Sequence, residues 1–315
     1  MRDLVIRAIL EAAKKNRSIL FLSSDFGAPA LDEFRRDLPE QFFNVGIAEQ
    51  NMIDTAAGLT LSDKTVFCYA MAPFLTARCY EQIKCSLSSM ALPVTLIGVG
   101  VGLGYDHVSM THLAVEDLAI MRAVKHLEIW TPSDGPSCRA MIDRLLEKPR
   151  FCYLRLERTQ NPLSDLSRVE VFPEHGLSLV KPVESGILLV ASGSMVHVAM
   201  AAAHNWGHGV LDVQKIRPFY HIHFGDILLG EQPELMIVIE EHVRSGGLGE
   251  LIAGSIADQN LGVTFCRLCI PDDYSLVHGD RSTLRKHFGI DEIAVYEAIR
   301  ESPAAKIAAA NLRIH

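Results

Sequence analysis

The chain has 315 residues, 49% of them hydrophobic and 22% charged, a globular composition with room for two domains. A formal charge of -8 gives no reason to expect nucleic acid, whose phosphates require a basic face. Seven cysteines, an odd number spread through apolar segments, argue against a disulfide framework and fit a reducing cytoplasm.

Residues 1–16 (MRDLVIRAILEAAKKN) place Leu4, Val5, Ala8, Ile9 and Ala12 on one helical stripe, with charges interrupting every apolar stretch. That pattern reads against a signal peptide, and no segment approaches the ~20 apolar residues of a membrane span. The periodicity predicts helix 3–16, strand 18–23, a turn around Asp25 and a helix over 46–61. Strand 65–70, helix 75–90, strand 93–98, helix 115–124, strand 127–130, helix 135–146 and strand 151–156 follow. Residues 157–184 carry Pro162, Pro173 and Pro182 without a sustained period, and read as a linker with a short hairpin. A second alternating set has strands 186–192, 208–213, 234–240 and 262–267, with helices 194–206, 224–229, 247–258 and 291–301. The fold class is therefore α/β, with two doubly wound domains at 1–160 and 185–315 joined by a linker at 161–184.

Glu49 stands out within the apolar run FFNVGIAEQNM (42–52), flanked by Ile47, Ala48, Met52 and Ile53. Two readings fit it. An acid in the first turn of a helix is favoured by the macrodipole. Alternatively, a carboxyl buried there loses its water and gains little in return, which favours the protonated form. A neutral acid in a dry site can donate a proton to a ring nitrogen, as the aminopyrimidine of thiamine diphosphate requires.

Residues 93–104 (PVTLIGVGVGLG) place glycine at 98, 100, 102 and 104 directly after a strand. All three frames of GxGxxG fail, because Leu103, Tyr105 and His107 stand where the third glycine belongs, and no GxxxxGK[ST] loop occurs. The alternation instead suits an extended segment whose backbone approaches a ligand or another chain. Tyr105, Asp106, His107, Ser109, Thr111 and His112 follow at once, in a loop beyond a strand's carboxyl end, where α/β sheets bind ligands. Cys266 and Cys269, three apart in a predicted strand, face opposite sides and make a poor redox pair. His221 and His223 read as surface or interface histidines, and the Glu240-Glu241-His242 run as packing.

These segments together resemble the C-terminal half of transketolase, and the split-subunit transketolases in particular, over nearly the whole chain. FFNVGIAEQNM is similar to the family's signature around its catalytic glutamate, which matches Glu49. FLTARCYEQIKCSL (74–87) resembles the helix whose leading aromatic stacks on the aminopyrimidine, so Phe74 matches that platform. GLGYDHVSMTHLAVEDLAIMRA (102–123) is similar to the substrate loop. Asp106 and His112 match the residues that hold donor-sugar hydroxyls, His112 with a catalytic role, and Arg158 matches a phosphate anchor. The resemblance also places Asp25 against the cofactor and His107 against the substrate. It implies a thiamine diphosphate pyrimidine-binding domain followed by a transketolase C-terminal-like domain that carries no chemistry.

Such enzymes hold the diphosphate and its Mg2+ (or Ca2+) with a GDG motif and a downstream asparagine. Here Gly225-Asp226 precedes Ile227 and Gly279-Asp280 precedes Arg281, so neither is GDG. The resemblance thus implies a partner subunit with the pyrophosphate domain, in an α2β2 heterotetramer, acting on sugars or sugar phosphates without nucleic acid or membrane. Three departures bear on the substrate. Gly98 replaces a phosphate-contacting histidine and Pro29 a phosphate-contacting serine, and the Asp106–His112 segment is longer by about two residues, inserting His107 and Met110. They suggest a modified or nucleotide-linked sugar. Two alternatives stand beside this reading: the β subunit of a 2-oxoacid dehydrogenase or decarboxylase, and a non-catalytic scaffolding paralogue.

Overall fold

The computed structural model describes residues 1–24, 29–158, 166, 170–273 and 277–302. The first half begins with α1 (Arg2–Lys15), β1 (Ile19–Ser23), α2 (Pro29–Asp37), β2 (Phe42–Asn44), α3 (Glu49–Leu61) and β3 (Thr65–Met71). Next come α4 (Ala72–Thr76), α5 (Tyr80–Gln82), a π-helical turn (Ile83–Ser88), β4 (Thr95–Val99) and α6 (Asp117–Met121). It ends with β5 (Glu128–Trp130), α7 (Gly135–Glu147) and β6 (Cys152–Leu156). The second half comprises β7 (Leu177–Lys181), β8 (Ile187–Ala191), α8 (Met195–Ala203), β9 (Gly209–Val213), β10 (Lys215–Arg217) and α9 (His221–Glu231). It closes with β11 (Leu235–Val243), α10 (Leu248–Asp258), β12 (Thr264–Ile270), α11 (Arg281–His287) and α12 (Glu292–Glu301).

Two sheets result, ordered β10-β5-β6-β4-β3-β1-β2 and β12-β11-β8-β9-β7. Each is parallel apart from one antiparallel edge strand, β10 on β5 and β7 on β9. Strands β1, β4 and β6 are buried at every position, because helices cover both faces and leave no wet side for alternation. The α/β class and the two-sheet architecture expected from the sequence are both present.

Several expectations need correction. Residues 177–181, read as linker, form β7 and pair with β9 in the second sheet. The helix expected over 75–90 is broken: α4 ends at Thr76, and the chain turns before α5 and the π-helical turn. Helix 115–124 contracts to α6. α2, β2, β10 and α11 were not expected at all. The Glu240-Glu241-His242 run, read as packing, lies near the end of β11.

The halves are not independent. Leu118, Met121 and Ile129 share one hydrophobic cluster with Leu211, Val213 and Phe224. β10 lies beyond β9 in the chain yet pairs with Trp130 and Ile129 of the first sheet.

Candidate active site

The carboxyl ends of the parallel strands of the first sheet carry nearly all the residues singled out above. Glu49 opens α3 after β2, Phe74 lies in α4 after β3, Asp106, His107 and His112 follow β4, and Arg158 follows β6. This is the edge where open α/β sheets bind ligands.

Glu49 is 4% exposed and begins its helix, so it is both buried and in a first turn. It is not left without return, however. Arg78, in the turn after α4, donates from Nη1 to Glu49 Oε2 at 2.6 Å. The same guanidinium lies over the Phe74 ring, 4.3 Å from its centroid. His112 meets the Phe74 ring edge-on at 5.1 Å, with Thr111 Oγ1 2.8 Å from its Nδ1. Tyr105 follows at 6.2 Å from His112, and Arg158 lies 4.8 Å over the Tyr105 ring. Arg158 Nη1 is 3.0 Å from His107 Nδ1, and His107 approaches Asp106 Oδ1 through both its backbone N–H (2.9 Å) and its ring (3.0 Å). One unbroken series of contacts therefore joins Glu49, Phe74, His112, Arg158, His107 and Asp106. Asp25 lies outside the described residues.

Of the two links in that series, Arg78 was missed and Tyr105 was noticed only as one of the polar residues after Gly104. Arg78 had a readable signal, four residues beyond Phe74 where a helical turn returns the side chain to the same face. The packing of Tyr105 between His112 and Arg158 had none, since it depends on the glycines before it. Gly100 has φ +81°, and a Cβ there would fall 2.1 Å from the Tyr105 ring. Gly102 has φ +59°, and its Cβ would fall 2.5 Å from Glu241 Oε2. Gly98 stays within the extended β4, whereas Gly100 and Gly102 turn the backbone and admit side chains of this same chain.

Burial opposes ionisation of Asp106, but hydrogen bonds from His107 and the Arg281 backbone hold its carboxyl below the usual range. Burial pushes the Tyr105 phenol up to about 12 despite the Arg158 charge. Gly98 is crossed by Tyr153, whose Cε2 would sit 2.6 Å from a Cβ at that position, so the space a side chain would need is filled. Pro29 is the first residue of α2, where its fixed φ is favourable.

The residues fit an aminopyrimidine. Arg78 is a flat, N–H-bearing group held jointly by a buried acid and an aromatic face, and a heterocyclic ring needs the same pair of contacts. Among the described residues, no three His, Cys, Asp or Glu side chains are grouped to hold a metal ion. No helix among them is long and apolar enough to cross a membrane.

Residues 1–162 match the family model of the transketolase pyrimidine binding domain, and residues 177–295 that of the transketolase C-terminal domain. The chain belongs to the transketolase family. Its two-domain architecture is that of the pyrimidine-side subunit in split-type transketolases. It is 30% identical to an apulose-4-phosphate transketolase subunit of Actinobacillus succinogenes, over 94% of this chain and 96% of that one. It is 28% identical to the 6-deoxy-6-sulfo-D-fructose transketolase subunit SqwH of a Clostridium species, over 96% and 94% of the two chains. Among solved structures, a split-gene transketolase described as an inactive β4 tetramer superposes with a TM-score of 0.82 at 25% identity, covering 95% of this chain and 97% of that one.

Proposed function

We propose that this chain is the pyrimidine-side subunit of a two-component transketolase, moving a two-carbon ketol unit between sugars. It acts only with a partner subunit that carries the pyrophosphate and metal site, in an α2β2 assembly. The observation that carries this reading is the contact series from buried Glu49 to Asp106 at one sheet edge. Bound thiamine diphosphate would supply the nucleophilic carbon that takes up the ketol unit, with Mg2+ or Ca2+ held mainly by the partner. Glu49 would hold a proton against the pyrimidine nitrogen, and Phe74 would offer its ring as a platform. Asp106 and His112 would take donor hydroxyls, while Arg158 and His107 would face an anionic group of the substrate. Asp25 is assigned to the cofactor by resemblance alone.

The sugar is one other than an ordinary pentose or hexose phosphate, either modified or nucleotide-linked. Gly98 and Pro29 support this, since neither supplies a phosphate contact and Tyr153 fills the space at residue 98. Relatives named for apulose 4-phosphate and for a sulfofructose are in keeping with it. Asp106 and His112 favour sugar over a 2-oxoacid. The test is to purify the chain alone and with a GDG-bearing partner, then measure thiamine diphosphate uptake and ketol transfer. Uptake and transfer are expected from the pair only, and lost by orders of magnitude in Glu49→Gln. Turnover by the chain alone, or near-normal turnover in the variant, refutes the proposal.

A further inference from the structure

The second domain, expected to do no more than pack, reaches into the substrate loop. Leu103 N–H donates to Glu241 Oε2 at 2.9 Å, across 138 residues of sequence. Gly102 and Ala114 pair in both directions, at 3.0 and 3.1 Å, and close the loop at its base. Further out, Arg281 N–H donates to Asp106 Oδ2 at 2.9 Å. Arg281 is the first residue of α11, whose N-cap is Asp280. Its backbone N–H is one of the donors a helix start leaves without an internal partner, and here a carboxylate of the other domain takes it.

Arg281 can hold that position because its side chain is clamped. Nε and Nη2 donate to Glu241 at 2.8 and 2.5 Å, Nη2 donates to Glu157 at 3.1 Å, and Nη1 donates to the same carboxylate. Glu157 and Glu241 are both buried, and Arg285 donates to Glu241 at 2.5 Å as the second cation. Glu157 directly precedes Arg158, which contacts His107 and Tyr105. One guanidinium thus links the end of β6, the end of β11 and the start of α11, and its main chain fixes Asp106. With Oδ2 held by Arg281 and Oδ1 by the His107 N–H, the carboxylate cannot turn, and only its remaining lone pairs can face a ligand.

We infer that Arg281 is a positioning residue for the donor sugar: it sets the orientation of Asp106 from the second domain without touching the substrate. The inference rests on the function proposed above. Its test uses the assembled two-subunit enzyme with Arg281→Lys and Arg281→Met, measuring three quantities. These are the thiamine diphosphate dissociation constant by fluorescence titration, kcat and KM for the donor ketose, and amide hydrogen exchange over 102–114. For Arg281→Met the expected result is a rise in donor KM of about tenfold, the size of one weakened charge-assisted hydrogen bond. Faster exchange confined to 102–114 and an unchanged cofactor constant should accompany it. Arg281→Lys, able to pair with one acid, should recover part of the KM. Unchanged KM with unchanged loop exchange overturns the inference, as does a loss of cofactor affinity equal to the loss in KM. If the wild-type assembly takes up no thiamine diphosphate, the proposed function falls. The exchange comparison still decides whether Arg281 orders the loop.

Discussion

Replacing Asp117 by alanine isolates the pair that anchors the exit of the substrate loop. Asp117 opens α6, and its carboxylate receives Arg155 twice, from Nε to Oδ2 at 2.8 Å and from Nη2 to Oδ1 at 3.0 Å. Tyr153 Oη donates to Oδ2 at 2.8 Å and the Leu118 N–H to Oδ1 at 2.9 Å. The side chains of Arg155 and Asp117 are 7% and 1% exposed, so the variant leaves a guanidinium in the protein with one weak partner, Thr131 Oγ1 at 3.3 Å. Stranding one member of a buried pair costs about 3–5 kcal/mol, and an orphaned tyrosine hydroxyl adds about 1 kcal/mol. The expected loss is thus about 5 kcal/mol. By contrast, the triple variant Asp117→Leu, Arg155→Met, Tyr153→Phe removes the stranded guanidinium and hydroxyl, leaves only the Leu118 N–H without its acceptor, and should stay within about 2 kcal/mol of wild type. Urea unfolding followed by the fluorescence of buried Trp130 reads both. A single variant costing under about 1 kcal/mol, or a triple variant as unstable as the single, refutes the reasoning.

Three further outcomes are expected. Arg78→Met frees both Glu49 and the Phe74 face, so the assembled enzyme should bind thiamine diphosphate about fivefold more tightly, on the scale of an exposed cation–π contact; weaker binding in a fluorescence titration would show that Arg78 supports the ring instead. Gly100→Ala meets both a left-handed φ and the Tyr105 ring, so thermal unfolding should fall by several degrees and donor KM should rise; an unchanged melting temperature counts against the turn argument. Burial raises Glu240 to about 7 against the backbone N–H groups of Gly249 and Leu248, so the folded state binds a proton that the unfolded chain has released. Stability from this group is greatest below pH 4.5 and is lost as pH rises toward 7, by about 3 kcal/mol at most. Burial opposes ionisation of Glu241 too, yet Arg281 and Arg285 hold its carboxyl low, so its contribution is lost only on acidification below the ordinary carboxylate range. Burial lowers the pKa of His175, His208 and His242, whose contributions rise over the same interval, so the measure is the difference in urea midpoint between wild type and Glu240→Gln, which should fall from pH 5 to 7; a constant or rising difference contradicts the assignment.

What the sequence disclosed followed the range of the interactions concerned. Strands such as Ile19–Ser23 and Thr95–Val99 were legible because a parallel strand buried on both faces must be apolar at nearly every position. α2 was not, because in PALDEFRRD only Leu31 and Phe34 are fully buried, and five of the nine residues are charged. The three-residue strands β2 and β10 draw their identity from neighbours, Phe21 to Ser23 for one and Trp130 with Ile129 for the other. At the site, the Glu49 run and the polar burst after Gly104 were visible as local anomalies. That Arg78 would meet Glu49, or Arg281 meet Asp106, was not, since the pairs lie 29 and 175 residues apart. The glycine alternation was noticed, but only the fold reveals that Tyr105, Tyr153 and Glu241 fill the space beside it.

The contact between the domains separates adhesion from alignment. The shared apolar cluster, with Leu118 and Met121 against Leu211 and Phe224, supplies a large but non-directional attraction that would tolerate small slides. The Glu157–Arg281–Glu241–Arg285 group adds little net adhesion, since burying charges costs nearly what their pairing returns. Its hydrogen bonds, however, are satisfied in only one register of α11 against β6 and β11. Apolar contact depends on distance but not on direction, whereas the charged group needs both. The register that the charged group enforces is also the register that presents the Arg281 N–H to Asp106. Weakening the apolar contact should therefore lower stability with little effect on donor KM, whereas removing Arg281 should raise KM and also lower stability, because it strands the buried carboxylates of Glu157 and Glu241.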